Sequence, residues 1–136
     1  MDPRKAIEFV SANHHAVLAT SRGDGSPQLS PVLVAVDDAG RVVVSTRQTA
    51  LKVKNVRRTP RAWLCVFSDA FFGQWVQLSG PVTVLDLPEA MEPLVEYYRS
   101  LSGEHPDWDE YRAAMEREQR CLLQVTVEEA GPDRAG

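Results

Sequence analysis

The sequence lacks the features of a secreted, disulfide-bonded or membrane-spanning protein. It has two cysteines, Cys65 and Cys121, with no CxxC motif, and both lie in apolar runs where a buried free thiol is the ordinary state. It has no run of about 18 consecutive apolar residues, and its first residues carry charges where a signal peptide needs an apolar stretch. We therefore expect a cytoplasmic protein with no membrane partner.

Histidine and lysine are also scarce. His14 and His15 are adjacent, so on a helix their side chains point about 100° apart and do not share one ion. His105 has no second histidine or cysteine near it, and we expect no metal site. Arginine outnumbers lysine twelve to three, a bias that is typical of a high-GC bacterial genome.

The length of 136 residues fits one domain, residues 1–136, with a single core. An apolar content of 43% and a charged content of 25% are ordinary for a globular protein. We expect disorder only in the tail, residues 128–136.

Six apolar runs rich in β-branched residues predict six strands. Glycine and aspartate separate the first three runs, a pattern typical of an antiparallel meander, and SRGDGS between the first two indicates a hairpin turn rather than a phosphate loop. Pro81 beside Gly80 indicates a sheet edge or a bulge in the fifth run. The runs are residues 16–22, 27–37, 41–47, 61–69, 74–86 and 121–127.

Four shorter stretches predict helices. Asp2 and Asp107 can cap the first and the fourth, Thr49 can cap the second, and Gly103 is placed to end the third. The predicted ranges are 3–13, 50–58, 87–103 and 108–118. Because no strand is regularly followed by a crossover helix, the pattern favours a mainly β (α+β) fold, a small antiparallel barrel with short flanking helices.

A basic segment, residues 47–61, contains six cations in a chain whose net charge is −4, and no carboxylate occurs between Asp38 and Asp69. At its start the third strand gives way to the second helix, whose first backbone N–H groups favour an anion. Arg47, Lys52 and three hydroxyl groups converge there and predict a phosphate-binding site. The hydroxyl groups belong to Ser45, Thr46 and Thr49.

The remaining arginines of this segment have a simpler interpretation. Arg57, Arg58 and Arg61 are consistent with a solvated face that the acidic helices balance. Nucleic acid is disfavoured as a partner, because the helix is short and the whole chain is acidic.

Several segments in order carry a resemblance to a known family. AVLATSRGDGSPQLSPV, VVVSTRQTALKVKNVRRTPRAWLCV and WVQLSG are similar to the FMN-binding split β-barrels of the pyridoxamine 5'-phosphate oxidase superfamily. YRSLSGEHPDWDEYRAAMEREQRCLL resembles its actinobacterial branch of deazaflavin-dependent reductases, which use coenzyme F420 in place of FMN. The likeness runs from about His15 to Val127 and implies a six-stranded antiparallel split barrel.

The resemblance implies a homodimer with two cofactor sites at the subunit interface and hydride transfer between the deazaflavin C5 and an unsaturated small-molecule substrate. It places Gln28, Ser30 and Ser45 near the ring and ribityl chain. Lys52 matches the phosphate-binding lysine, and Asn55 lies one helical turn beyond it. The expected cofactor-binding residues are completed by Thr46, Arg47, Lys54, Trp75 and Gln77. No catalytic side chain is identified.

Trp75 and Lys54 are each suited by position or charge to a particular part of the cofactor site. Trp75 shares a strand face with Gln77 and Ser79, which suits an interface lined by a bound ring, in the partner subunit's site. Trp63 and Trp108, by contrast, are expected to anchor the core or an interface. Lys54 is expected to guide the oligoglutamate tail of the coenzyme, which FMN lacks.

The sequence also departs from the family. Ala50 stands where close relatives often carry an arginine, and Arg47 is a candidate replacement. The C-terminal substrate-phosphate residues of the oxidases proper have no equivalent, which argues against pyridoxine phosphate oxidation. The alternatives are an FMN enzyme of the same fold, a noncatalytic F420-binding or storage protein, and a haem-binding protein for which the three histidines are poorly placed.

Overall fold

The computed structural model describes residues 1–70 and 72–135, with the backbone alone for 133–135. These residues form four helices and eight strands. The helices are α1 (Pro3–Ala12), α2 (Leu51–Arg58), α3 (Met91–Ser102) and α4 (Trp108–Arg117). The strands are β1 (His15–Ser21), β2 (Pro27–Leu33), β3 (Ala35–Val36), β4 (Val42–Arg47), β5 (Arg61–Phe67), β6 (Gln74–Leu85), β7 (Arg120–Val125) and β8 (Glu129–Ala135). Within the described ranges, each helix is too short or too polar to cross a membrane.

The strands pair in an antiparallel manner, and the sheet they form curls into a half-barrel. Its order is β2-β1-β5-β6-β7-β4-β3, with β8 added on β6. Among the described residues, β2 and β4 form no ladder with each other, so the barrel is split between these two strands. The predicted mainly β split barrel with flanking helices is therefore confirmed.

The long strand β6 holds the two halves of the sheet together. Its residues 75–81 pair with β5, and residues 82–85 pair with β7. Gly80 stands at the change of partner, where a Cβ atom would lie 1.6 Å from the carbonyl oxygen of Thr126. Only glycine fits this approach without a backbone shift. Pro81, predicted to mark an edge or a bulge, lies at this change of partner.

Side-chain alternation along the strands creates two cores. On β4, Val44 faces the barrel interior and Val43 faces the helices outside it. On β7, Leu123 and Leu122 divide in the same way. The interior core is closed by α1 and α2, whereas α3 and α4 cover the outer faces of β4 and β7. This outer layer borders the cavities described below.

The structure has eight strands where the sequence predicted six. The predicted strand 27–37 is interrupted at Val34, whose N–H donates to the carbonyl oxygen of His14 at 2.8 Å, and it splits into β2 and β3. The predicted meander is confirmed for the β1–β2 hairpin, and β3, the end of the predicted second run, pairs antiparallel with β4. The first part of that run, β2, does not pair with β4, because the chain turns away at Val34; the other neighbour of β4 is β7.

The tail differs from the expectation of disorder in residues 128–136. Residues 129–135 form β8 on β6, and Gly136 lies outside the described residues. Backbone hydrogen bonds at a sheet edge need no apolar pattern, so the sequence carries little signal for this strand. The guanidinium of Arg61 also donates to Glu128 at 3.0 Å and to Glu129 at 2.9 Å.

Three of the four predicted helix caps are confirmed. The Asp2 and Asp107 side chains accept backbone N–H groups at the starts of α1 and α4, and Gly103 ends α3 with φ at +76°. Thr49 does not cap α2, because the helix begins one residue later. Its N-cap is Ala50, which has no side chain that could accept a hydrogen bond.

Candidate functional site

The start of α2 opens onto a cavity of about 440 Å³, here called the β4–α2 cavity. It lies at the split of the barrel and is roofed by α3 and α4. Its lining includes residues 31–33 of β2, Ser45 and Thr46 of β4, Lys52 of α2, Tyr97 and Tyr98 of α3, Tyr111 of α4 and Arg120 of β7. Three of the predicted binding residues, Ser45, Thr46 and Lys52, therefore meet at one cavity.

Lys52 is the cation best placed to hold an anion there. No described residue forms an ion pair with its ammonium group. Partial burial, followed by the positive charge of Arg120, lowers the pKa of Lys52. Two cations facing one cavity are stabilised when a negatively charged group enters between them.

Arg120 and Arg47 share one carboxylate beside this cavity. Arg120 donates to Glu118 Oε1 through Nη2 at 2.8 Å and through Nε at 3.0 Å, and Arg47 Nη2 lies 3.5 Å from the same oxygen. The hydrogen bond from Arg120 lowers the pKa of Glu118. Lys52, Arg47 and Arg120 carry three positive charges here and Glu118 carries one negative charge, so the local net charge is positive.

The backbone at the start of α2 contributes donors of its own. Among the described residues, the N–H groups of Leu51 and Lys52 have no acceptor, since the first helical bonds begin at Val53 and Lys54, which donate to the carbonyl oxygen of Ala50. Free N–H groups at a helix start favour an anion. Ala50 adds no polar side-chain group, so these donors belong to the backbone alone.

Arg47 and Lys54, both predicted to bind cofactor, lie outside the cavity lining. The Arg47 side chain is 60% exposed and held by Glu118. Lys54 is exposed on α2 and has no ion-pair partner among the described residues. Both add positive charge beside the cavity.

Asn55 is engaged within the protein. It is 1% exposed, its Nδ2 donates to Thr20 Oγ1 at 3.0 Å, and its Oδ1 accepts from Arg58 Nη2 at 3.0 Å. Thr20 Oγ1 in turn donates to Gln28 Oε1 at 3.5 Å. The structure therefore places Asn55 and Gln28 in a polar network that fixes α2 on β1 and β2, and neither lines the cavity.

Ser30 lies opposite Leu18 on the inner face of β2. Its hydroxyl oxygen is buried and has no hydrogen-bond partner among the described residues. Ser30 does not line the β4–α2 cavity, whereas Ser45 does.

Trp75 and Gln77 lie on the outer face of β6, away from this cavity. Their partners across β5 are Phe67 and Cys65, and the same face continues over β1 to Leu29 on β2. We call this surface the outer apolar face. It is defined by Val17, Ala19, Leu29, Pro31, Leu33, Trp63, Cys65, Phe67 and Trp75.

The tyrosines and Arg120 are the site residues that the sequence analysis missed. The Tyr97 hydroxyl donates to the carbonyl oxygen of Leu33 at 2.9 Å, and the Tyr111 hydroxyl donates to that of Leu94 at 2.8 Å. Burial raises the pKa of Tyr97, and burial raises the pKa of Tyr111 to about 12. Both phenols therefore stay protonated near neutral pH. The sequence predicted the helices that carry these tyrosines, but it did not show which strands lie beneath them.

The other arginines of the basic segment are held by the protein. Arg57 Nη2 donates to both carboxylate oxygens of Asp86 at 2.8 Å. Arg58 donates to the carbonyl oxygen of Ser21 at 2.9 Å as well as to Asn55. These contacts, like those of Arg61, attach α2 and β5 to neighbouring strands. Lys52 is the cation of this segment that lines the cavity.

Histidines and thiols lie elsewhere. A His14 ring nitrogen lies 2.8 Å from the carbonyl oxygen of Val34, and His105 accepts the N–H of Asp107 while packing on the cavity tyrosines. Burial raises the pKa of Cys65, and burial raises that of Cys121 to about 11. Within the part of the chain that the structure describes, no three His, Cys, Asp or Glu residues are arranged to hold a metal ion.

Comparison with known proteins adds a family and a fold. The family model described as pyridoxamine 5'-phosphate oxidase matches residues 3–132. Rv2991, a conserved hypothetical protein from Mycobacterium tuberculosis, is 23% identical with a TM-score of 0.77, over 96% of this chain and 82% of its own. An F420 reductase is 17% identical with a TM-score of 0.71, over 91% and 94%. A pyridoxamine 5'-phosphate oxidase-related, FMN-binding protein from Nostoc punctiforme is 15% identical with a TM-score of 0.64, over 96% and 83%.

Proposed function

Because the chain belongs to the pyridoxamine 5'-phosphate oxidase family, we propose that it is an oxidoreductase that holds coenzyme F420 by its phosphate in the β4–α2 cavity. The observation that carries the proposal is Lys52, a partly buried cation without an ion-pair partner among the described residues, at a helix start with free N–H groups. FMN has the same phosphate requirement and is the alternative cofactor.

The residues of the cavity fit a phosphate ester. Lys52 and Arg120 supply charge, Ser45 and Thr46 supply hydroxyl groups, and the backbone N–H of Leu51 supplies a neutral donor. The tyrosine walls offer apolar surface for the part of the cofactor next to the phosphate. When bound, a deazaflavin supplies the hydride at C5, and this chain's residues bind it, orient it and exclude water.

The preference for F420 over FMN rests on charge beyond the cavity. Arg47 is 60% exposed and Lys54 is exposed without an ion-pair partner among the described residues, so both can meet the carboxylates of an oligoglutamate tail. The likeness to an F420 reductase agrees with this choice and extends to the fold alone.

We also propose that the chain forms a homodimer through the outer apolar face. Leu29 is 62% exposed and Leu33 is 46% exposed, and a contiguous apolar surface of this kind is typical of an interface. Residues 31–33 of β2 belong both to the edge of this face and to the cavity lining. A partner on the face would therefore bring its Trp75 and Gln77 towards this cavity.

The substrate is a small molecule that accepts or donates the hydride. The phenols of Tyr97 and Tyr111 donate to carbonyl oxygens of the protein, and their raised pKa values keep them protonated, so they do not act as bases near neutral pH. We assign no side chain as a proton donor, and solvent is sufficient for that step.

A parallel titration tests the proposal. Purified protein is titrated with coenzyme F420 and with FMN under the same conditions, and binding is followed by fluorescence. We expect tighter binding of F420 and slow oxidation of its reduced form in the presence of a conjugated acceptor. Tighter binding of FMN would assign the protein to the FMN enzymes, and tight F420 binding without turnover of any acceptor would favour a storage role. Binding of neither cofactor contradicts the proposal.

A further inference from the structure

A second cavity, of about 370 Å³, lies beneath α3 on the outer face of β4 and β7. We call it the α3 cavity. Its apolar wall is formed by Val36, Val43 and Leu122, and the turn between β3 and β4 closes one side. Tyr97 lines both this cavity and the β4–α2 cavity, so the two are neighbours. Nothing in the proposed cofactor binding uses the α3 cavity.

The wall of the α3 cavity carries an amide that no other protein group engages. Gln124 of β7 is 6% exposed, lines the cavity, and among the described residues its side chain has no hydrogen-bond partner. Because no protein group holds it, the amide is available to water or to a ligand in the cavity. The Gln124 amide offers both a donor and an acceptor to whatever occupies the cavity.

The rim of the α3 cavity is acidic, in contrast to the basic β4–α2 cavity. Four carboxylates and one arginine line it. Asp37 is occupied, since it accepts from Arg41 Nε at 2.8 Å and from two backbone N–H groups of its own turn. Asp38 is exposed and has no ion-pair partner among the described residues. The other two carboxylates, Glu92 and Glu96, bond Arg112 and Arg99 outside the cavity.

From these features we infer that the α3 cavity binds a small primary amine with an apolar body. The ammonium group would lie at the acidic rim near Asp38, a polar group or ring edge would meet the Gln124 amide, and the body would pack on the apolar wall. At roughly 30 Å³ per water-sized unit, the cavity holds a ligand of about a dozen heavy atoms. Such a ligand would occupy a cavity other than the proposed cofactor cavity, although the two share Tyr97.

Three probes of the same size test the charge and the site. Benzylamine, benzyl alcohol and benzoate share one ring and differ in the group they carry. Each is titrated into ¹⁵N-labelled protein at neutral pH, and the side-chain NH₂ signals of Gln124 are followed by NMR. We expect benzylamine to bind with a low-millimolar Kd and to shift the Gln124 signals, benzyl alcohol to bind several-fold more weakly, and benzoate not to bind.

Variants of both ends of the site complete the test. Gln124→Leu removes the buried amide at similar volume and should weaken benzylamine about fivefold, and Asp38→Asn should weaken it about threefold. Glu8→Gln is the matched control: it removes one negative charge, as Asp38→Asn does, from an exposed position on α1, and it should leave the Kd unchanged. Asp38→Asn lies at the surface and keeps the test valid if Gln124→Leu folds poorly. Equal binding of benzylamine and benzyl alcohol, or an unchanged Kd in both site variants, overturns the inference, as does the absence of any benzylamine binding at about 10 mM.

Discussion

Replacing Lys52 by alanine should selectively weaken the binding of a phosphate-bearing cofactor. Lys52 lines the cavity, is partly buried and has no ion-pair partner among the described residues, so its charge is not neutralised before the ligand arrives. A hydrogen bond to a charged group in such a place contributes about 2 kcal/mol. At about 1.4 kcal/mol per factor of ten, Lys52→Ala should raise the Kd about 30-fold.

Lys54 supplies the matched control for this experiment. It lies two positions along the same helix and carries the same charge, but it is exposed and does not line the cavity. Solvent and salt screen an exposed charge, so Lys54→Ala should change the Kd for FMN by less than about twofold at physiological ionic strength. Both proteins are titrated with F420 and with FMN by fluorescence, at about 0.05 M and about 0.5 M salt.

The salt dependence separates the two lysines. The loss in Lys52→Ala should persist at high salt, whereas any effect of Lys54→Ala should appear with F420 at low salt and disappear at high salt. Circular dichroism and the unfolding temperature of each variant confirm that the fold is retained. Equal losses in the two variants, or an unchanged Kd in Lys52→Ala with an intact fold, would refute the assignment of the anion to the start of α2.

Three other predictions concern the frame around the site. Gly80→Ala forces a Cβ atom against the carbonyl oxygen of Thr126 and should lower the free energy of unfolding, measured in urea, by about 1–3 kcal/mol. Gly23→Ala, whose Cβ atom meets only ordinary contacts, should be tolerated, and equal stability of the two variants contradicts the tight approach at Gly80. Leu29→Asp should convert the dimer into a monomer in light-scattering measurements, whereas Leu51→Asp, outside the outer apolar face, should leave the dimer intact. A monomeric unsubstituted protein contradicts the dimer proposal. At pH 8 a thiol reagent should reach Cys121 only on unfolding, because Cys121 is fully buried and a pKa of about 11 leaves it almost entirely protonated; fast modification of Cys121 in the native protein contradicts its burial.

The part of the site that the sequence predicted is the part built from consecutive residues. Ser45, Thr46 and Lys52 belong to one strand and the helix that follows it, so their convergence needs only local structure. Arg120 reaches the same cavity through the pairing of Arg47 with Arg120 between β4 and β7. Nothing in the local pattern specifies that register, which depends on how the whole sheet closes.

Residues predicted from the resemblance were dispersed by the fold. Asn55 and Gln28 are joined by Thr20 in a network that attaches α2 to the sheet. Asn55 is only three residues from Lys52 in sequence, yet its side chain does not reach the cavity. Trp75 and Gln77 stand on a surface whose role depends on a second copy, which a single chain does not reveal. A spacing pattern identifies which residues share a face, and only the closed sheet decides which side of it meets a ligand.

The fold itself was predicted well where hydrophobic patterning is strong. Five of the predicted runs became β1, β4, β5, β6 and β7 with small changes at their ends, because buried residues alternate or cluster along them. The break at Val34 and the strand β8 were missed, since both depend on backbone hydrogen bonds to distant segments and not on side-chain pattern.

The long strand β6 has a consequence for how the protein unfolds. It gives hydrogen bonds to β5 and β8 along its first part and to β7 along its last part, with the change of partner next to Gly80. Neither half of the sheet can detach without breaking part of a strand that the other half shares. The two halves should therefore unfold in a single cooperative transition, and slow amide exchange along the whole of β6 is its expected signature.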